Sequence, residues 1–268
     1  SFLHKPYVRI SSYTRNLNEF PEKEAKIWRK EPVKPLEEQL IKQKLTSNEV
    51  VNLLNTQTYF ELLKLPYPNN QEAVIEKFVS EKFIKKNKDS YDITKLGAIL
   101  LAKNLDEFEE VGRKAVRVIV YKGKNKIDTI REQIGKRGYA VGFEGLIDWI
   151  NGQLPANEEI GRAFRSETRM YPEIAIRELV ANAIIHQDFS EKGFPMIEIF
   201  SDRIEISNPG IPLITPQRFI DEYVSRNERL ADVLRRFGMC EEKGSGIDKV
   251  IFYNEMYQLP AVDFIVSE

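Results

Sequence analysis

Cysteine is almost missing from this sequence: Cys240 is the single one in 268 residues. Its isolation excludes an internal disulfide and a cysteine-based zinc cluster, and it fits a reducing compartment with Cys240 as a buried thiol. Histidine is scarce too, and His4 and His186 are too far apart in sequence to give the paired-histidine arrangement of a zinc protease. An excess of either charge is also lacking. Forty basic residues face 41 acidic ones, so no nucleic-acid or membrane partner follows from net charge, and any such surface has to be local. No apolar run approaches the roughly 18 residues of a membrane span, and the opening residues lack a secretory signal. The expectation is a cytoplasmic protein without a membrane partner.

What is there is ordinary for a globular chain: 42% hydrophobic and 30% charged residues, enough for two domains or for one large domain with an appendage. Residues 7–11, YVRIS, read as a strand with nothing before it to pair with, so the chain reads as a fragment whose N-terminal part is missing. A short helix is expected over 22–30 and a proline-bearing linker over 30–39. Residues 36–103 read as mostly helical. Thr46 or Ser47 caps one apolar-periodic run, a helix with apolar positions 74, 75, 78, 79 and 83 follows, and then come two short extended pieces and a further helix. That order is winged-helix-like, and a purely structural connector is the alternative.

From residue 115 strands and helices alternate. A strand is expected over 115–123, helices over 128–134 and 145–154, and an extended piece over 160–172. Pro172 opens a long helix, 194–210 forms a hairpin, helices follow over 215–224, 228–238 and from 246, and 261–267 closes as a strand. The fold class is α+β, with helices covering one face of a mixed sheet. Nine basic residues against two acidic ones between 113 and 137 make either a phosphate-binding surface or a solvated strand edge guarded by lysines.

In the long helix, Glu178, Asn182 and His186 recur every four residues and fall within about 80° of one another on its circumference. Opposite them Ile176, Leu179, Val180, Ala183 and Ile184 form an apolar stripe, yet the polar strip is itself flanked by Ala175, Ala181 and Ile185. A strip so poor in long charged side chains is half enclosed. Its carboxylate, amide and imidazole need a ligand, a metal or an internal network. Two turns add to it: Asn208-Pro209-Gly210 after a strand, and Gly244 and Gly246 directly before a helix, where glycine lets the backbone approach a phosphate.

Taken in order, these pieces resemble the GHKL, or Bergerat-fold, ATP-binding domain. Its first box, Glu-x-x-x-Asn, matches Glu178 and Asn182. Its second, Asp-x-Gly-x-Gly, is met in part by Asn208 and Gly210, and its Gly-x-Gly by Gly244 and Gly246. The segments RELVANAIIHQDFS, IEIFSDRIEISNPG and RNERLADVLRRFGMCEEKGSGIDKV are similar to one subfamily, the RecG-like C-terminal domain of bacterial transcriptional regulators. Those regulators begin with an Alba- or Schlafen-like DNA-binding domain, and KPYVRISSYTR resembles its last strand.

The resemblance implies three parts: residues 1–34 as the remnant of the DNA-binding domain with its linker, 35–112 as a helical, winged-helix-like connector, and 113–268 as a GHKL-like two-layer sandwich with a mixed sheet. It implies ATP and Mg2+ as cofactors, with Asn182 on the metal, Glu178 as the catalytic group orienting water, Asn208 at the adenine, Gly210, Gly244 and Gly246 near the nucleotide, and His186 buttressing the strip. DNA is the implied partner, through the missing N-terminal part and through Arg9, Arg15 and the 113–137 segment, together with a homodimer. This sequence departs from the pattern at Asn208, which replaces a charged acceptor, and at Pro212, which replaces a glycine. It also has no glycine-rich lid and no GxxxxGK[ST] loop, so hydrolysis is weak at most and a helicase motor is not implied. A ligand-free structural or interaction module, and a weak Mg-dependent ATPase, stand as alternatives.

Overall fold

The computed structural model describes residues 7–10, 13–16, 34–154, 156–160, 165–214, 218–219, 224–241 and 246–266, in two compact units, Ser1–Lys34 and Pro35–Glu268. In the first unit β1 (Tyr7–Ile10) pairs antiparallel with β2 (Tyr13–Asn16), so the expected strand finds its partner just after itself. The helix expected over 22–30 lies outside the described residues.

The second unit opens where a linker was expected. Leu36 is buried, Gln39 O accepts from Lys95 N at 2.7 Å and Leu36 O from Leu96 N at 3.2 Å, so from Pro35 onward the stretch is part of the packed unit. A second correction follows at once, because β3 (Leu40–Leu45) is a strand inside the region read as mostly helical. Its cause lies far along the chain. β5 (Tyr91–Thr94) is buried between neighbours, β4 (Ile84–Lys86) and β3, and its backbone groups need partners on both edges.

Around this three-stranded sheet stand α1 (Ser47–Leu53), α2 (Thr56–Leu62), α3 (Gln71–Ser80) and α4 (Lys95–Leu101). Thr46 is the cap of α1: its hydroxyl accepts from Glu49 N at 3.3 Å, and Glu49 Oε2 accepts from Thr46 N at 2.7 Å. Every residue of α4 is buried, which makes it the central post of this part. After a 3-10 turn comes the short α5 (Glu109–Gly112).

The second sheet has the order β11–β10–β6–β7, built from β6 (Arg117–Tyr121), β7 (Thr129–Ile134), β10 (Met196–Ile199) and β11 (Ile204–Ser207). β6 and β10 run parallel while the outer pairs are antiparallel, so the sheet is mixed, as expected. Val118, Val120, Ile197 and Ile199 share one core with Phe143 and Ile147 of α6 (Tyr139–Asn151) and with Ile176, Val180 and Ile184 of α7 (Glu173–His186). The same core includes Ile99, Leu105 and Phe108, so it runs across residue 112 without a break. A separate hairpin joins β8 (Ala156–Ile160) to β9 (Arg165–Arg169), and α8 (Glu228–Arg236) and α9 (Gly246–Met256) complete the chain.

Two further expectations fail here. Residues 129–134 form the edge strand β7 instead of a helix. All six are exposed, so Arg131, Glu132 and Gln133 mimic a helical surface, while the free edge of β6 supplies the pairing that overrides propensity. Residues 261–266 form no strand, and Ile265 is 80% exposed. The helix expected over 215–224 lies mostly outside the described residues.

Candidate functional site

Helix α7 is buried almost all round. Ala175, Ala181 and Ile185 are as enclosed as the apolar stripe opposite them, and Glu178 is only 3% exposed. Enclosure on both sides leaves the polar strip facing protein. Glu178 Oε1 accepts from Glu241 N at 2.9 Å, and a Cβ added at Gly246 would sit 2.6 Å from Glu178 Oε2 and 4.0 Å from Asn182 Nδ2. The first turn of α9 therefore approaches α7 as closely as glycine allows, directly over Glu178 and Asn182. Burial raises the Glu178 carboxyl above the usual range, against the Glu241 N–H, which lowers it. Asn182 is half-buried, and its amide makes no hydrogen bond to any described residue. Gly244 lies outside the described residues.

The C-terminal end of α7 meets the other turn. Asp188 N donates to Pro209 O at 2.8 Å, and Gly210, at φ +104°, packs so tightly that a Cβ there would fall 2.5 Å from Asp188 Cβ. Asp188 also accepts from Ser190 N at 2.9 Å and pairs with Arg226, whose guanidinium donates in turn to Ile211 O. Among the described residues Asn208 keeps only a long contact, Nδ2 to Pro209 O at 3.4 Å. Next to this cluster Asn227 Nδ2 donates to Ile185 O at 2.8 Å and Gln187 O at 2.7 Å, closing the end of α7. The structure thus brings Glu178, Asn182 and Gly246 together at one place on α7, and His186, Asn208 and Gly210 at its end.

Burial, with a smaller contribution from the nearby Arg226 charge, pushes the His186 imidazole down to about 4. Its neutral form is the one the fold favours. The stability it carries is present above about 6.5 and is lost as the pH falls through about 4. An NMR titration of the His186 ring should give a midpoint near 4, and a midpoint at 6 or above would show the strip open to water.

Sequence reasoning missed Asp188, Arg226, Asn227 and Glu241. Asp188 left a legible trace, since Asp-x-Ser after a helix is a side-chain-to-backbone turn signature. Arg226, Asn227 and the Glu241 amide act across 38 to 63 residues, where no local pattern points. A separate groove of about 380 Å3 lies along α6, lined among others by Phe143, Leu146 and Trp149 with Lys136 and Arg137, and none of the expected site residues faces it.

Comparison with known proteins bears on the C-terminal part of the chain, beyond helix α7. Residues 193–268 match the family described as "Putative ATP-dependent DNA helicase recG C-terminal", so this part is similar to a RecG C-terminal, ATPase-like domain. No curated protein matches the chain. Among solved structures, the DIP2311 protein from Corynebacterium diphtheriae is similar in fold, with a TM-score of 0.62 at 15% identity over 92% of this chain. The match spans 48% of that protein, about half its length. Among the described residues no helix is long and apolar enough to cross a membrane.

Proposed function

We propose that this chain is part of a bacterial DNA-binding transcriptional regulator whose C-terminal part binds adenine nucleotide with magnesium. The observation that carries the nucleotide half is Asn182: a half-buried amide without a partner among the described residues, beside a buried carboxylate and under the glycine start of an eleven-residue helix. Magnesium prefers hard oxygen donors and keeps most of its shell as water and phosphate oxygens, so the single oxygen of Asn182 suits it. Bound magnesium would offset charge on the phosphates. The α9 start would bring backbone N–H groups toward them, Asn208 would accept from the adenine amino group, and His186 would hold the strip as a neutral ring. Glu178 has one oxygen engaged by Glu241 N, so it would orient water only through the other. The order α3, β4–β5, α4 supports a winged-helix-like reading of 35–112.

Calorimetric titration with ATP, ADP and a non-hydrolysable analogue tests this. Binding should require magnesium, and Asn182→Ala should remove it while stability shifts by no more than about 0.5 kcal/mol, as for a side chain without partners. No heat up to millimolar nucleotide would remove the nucleotide half. One observation favours the second reading, a ligand-free scaffold: Gly210 is packed against Asp188, which gives that turn a structural use without any ligand. Phosphate release that disappears in Glu178→Gln would instead indicate a weak ATPase.

A further inference from the structure

Cations in the 113–137 segment are largely committed within the fold. Arg113 pairs with Glu109, Arg117 with Glu132, Lys124 with Asp202 and Lys126 with Glu198, while the buried Lys114 donates to Glu191 O at 2.5 Å and Gly193 O at 3.1 Å. The opposite situation holds at the first sheet. Lys44, Lys85, Lys86 and Lys88 are all exposed, and none forms an ion pair among the described residues. They are neighbours by register: Leu45 and Lys86 both lie across from Tyr91, on either side of β5, at the end where Asn87–Ser90 turn the chain.

Acid does little to cancel this charge. Asp92 stands opposite Lys85 but is buried, and its oxygens accept from Lys44 N and Asn87 Nδ2, each at 2.9 Å. Asp89 is the one exposed carboxylate within the hairpin.

We propose that the β4–β5 hairpin, with Lys44 beside it, is a contact surface for the phosphate backbone of duplex DNA. The inference rests on the DNA-binding half of the reading above and gives that half a location. Lys85 and Lys86 are consecutive in a strand, so they project from opposite faces, and Lys88 sits in the turn. β3 holds the other edge of β5, so it is the tip of the hairpin, with cations on both faces and in the turn, that reaches phosphates on the two sides of a duplex groove. A membrane plane would engage only one of those faces. Helix α3 next to the hairpin exposes Glu72 and Glu76, which phosphates would repel, so contact stays with the hairpin and reads no bases.

The test is fluorescence anisotropy of the full chain with a labelled duplex of roughly 20 base pairs from about 50 to 200 mM salt, using the wild type and the fourfold variant Lys44→Gln, Lys85→Gln, Lys86→Gln, Lys88→Gln. All four side chains are exposed, and a melting curve checks that the variant folds. The slope of log K against log salt should become shallower by about 0.9 for each lysine engaged, so by about 3 to 4 in the variant, with affinity at low salt falling at least tenfold. DNA binding with an unchanged slope in the variant overturns the hairpin proposal and leaves the regulator reading intact. No DNA binding by the wild type at low salt overturns both. Lysine-dependent binding to phosphatidylglycerol vesicles with none to DNA also overturns it, in favour of a membrane surface.

Discussion

Gly97→Ala should cost about 4 kcal/mol or more and remove most soluble protein, although alanine is the better helix former by about 1 kcal/mol. A Cβ at this position would fall 2.2 Å from Phe83 O, 2.9 Å from Phe83 C and 3.0 Å from Phe83 Cα. These are backbone atoms and cannot swing aside as a side chain would. Phe83 O is moreover fixed by Thr94 N at 3.0 Å and by the Thr94 hydroxyl at 2.9 Å, so moving it disturbs β5 and the cap of α4 together. Gly145→Ala is the matched control. It lies in α6 with nothing within 4 Å of the added methyl, and should stabilise by up to about 1 kcal/mol. Urea unfolding of the two variants decides the matter, and a Gly97→Ala protein within 1 kcal/mol of wild type would show that α4 can shift away from Phe83 freely.

Glu81→Ala should lower stability by about 3 kcal/mol, or roughly 6–12 °C in a unit of this size. Glu81 is 5% exposed and accepts from Tyr59 OH at 2.8 Å, Arg236 Nη1 at 3.0 Å, Arg236 Nη2 at 2.6 Å and Arg229 Nη2 at 3.2 Å. Burial by itself raises this carboxyl, yet the hydrogen bonds from Arg236 and Tyr59 prevail and hold it near 2. A lowered carboxyl contributes stability that is present above its ordinary value near 4.5 and is lost as the pH falls through about 2. Thermal melts should therefore show wild type and Glu81→Ala converging as the pH approaches 2, and a gap constant down to that pH would assign the loss to packing alone. The two arginines are about one-third exposed, so in the variant they turn to water, which keeps the cost at the low end for a broken buried pair.

How much of this was legible depends on range. Helix α7 could be read because its strip and stripe repeat every three to four residues, and the β10–β11 hairpin because Ser201 and Asp202 interrupt two apolar strands. Helix α8 ends at Gly238, at φ +68°, the stop its sequence signals. Strands β3 and β7 were not legible, since each owes its form to an unpaired neighbour and carries charged residues on exposed faces. Glu81 reads in sequence as one more surface acid on a helix, and its arginine partners lie 148 and 155 residues away. The candidate site divides in the same way: Glu178, Asn182 and His186 follow from helical spacing, whereas Arg226, Asn227 and Glu241 come from packing alone.

The closure of α7 by Asn227 bears on the order in which the chain assembles. Gln187, at the helix end, turns to an extended backbone and its side chain caps only Ile184 O, at 3.0 Å, so the carbonyls of Ile185 and Gln187 wait for an amide 42 and 40 residues further on. Bringing that amide in closes a loop whose entropy is spent before either bond forms, a cost that grows as about 1.5RT times the logarithm of loop length. Nucleation at the apolar middle of α7 carries no such delay. The last turn of α7, and with it His186, belongs to the late steps of folding: Asn227→Ala should speed unfolding and leave the refolding rate nearly untouched.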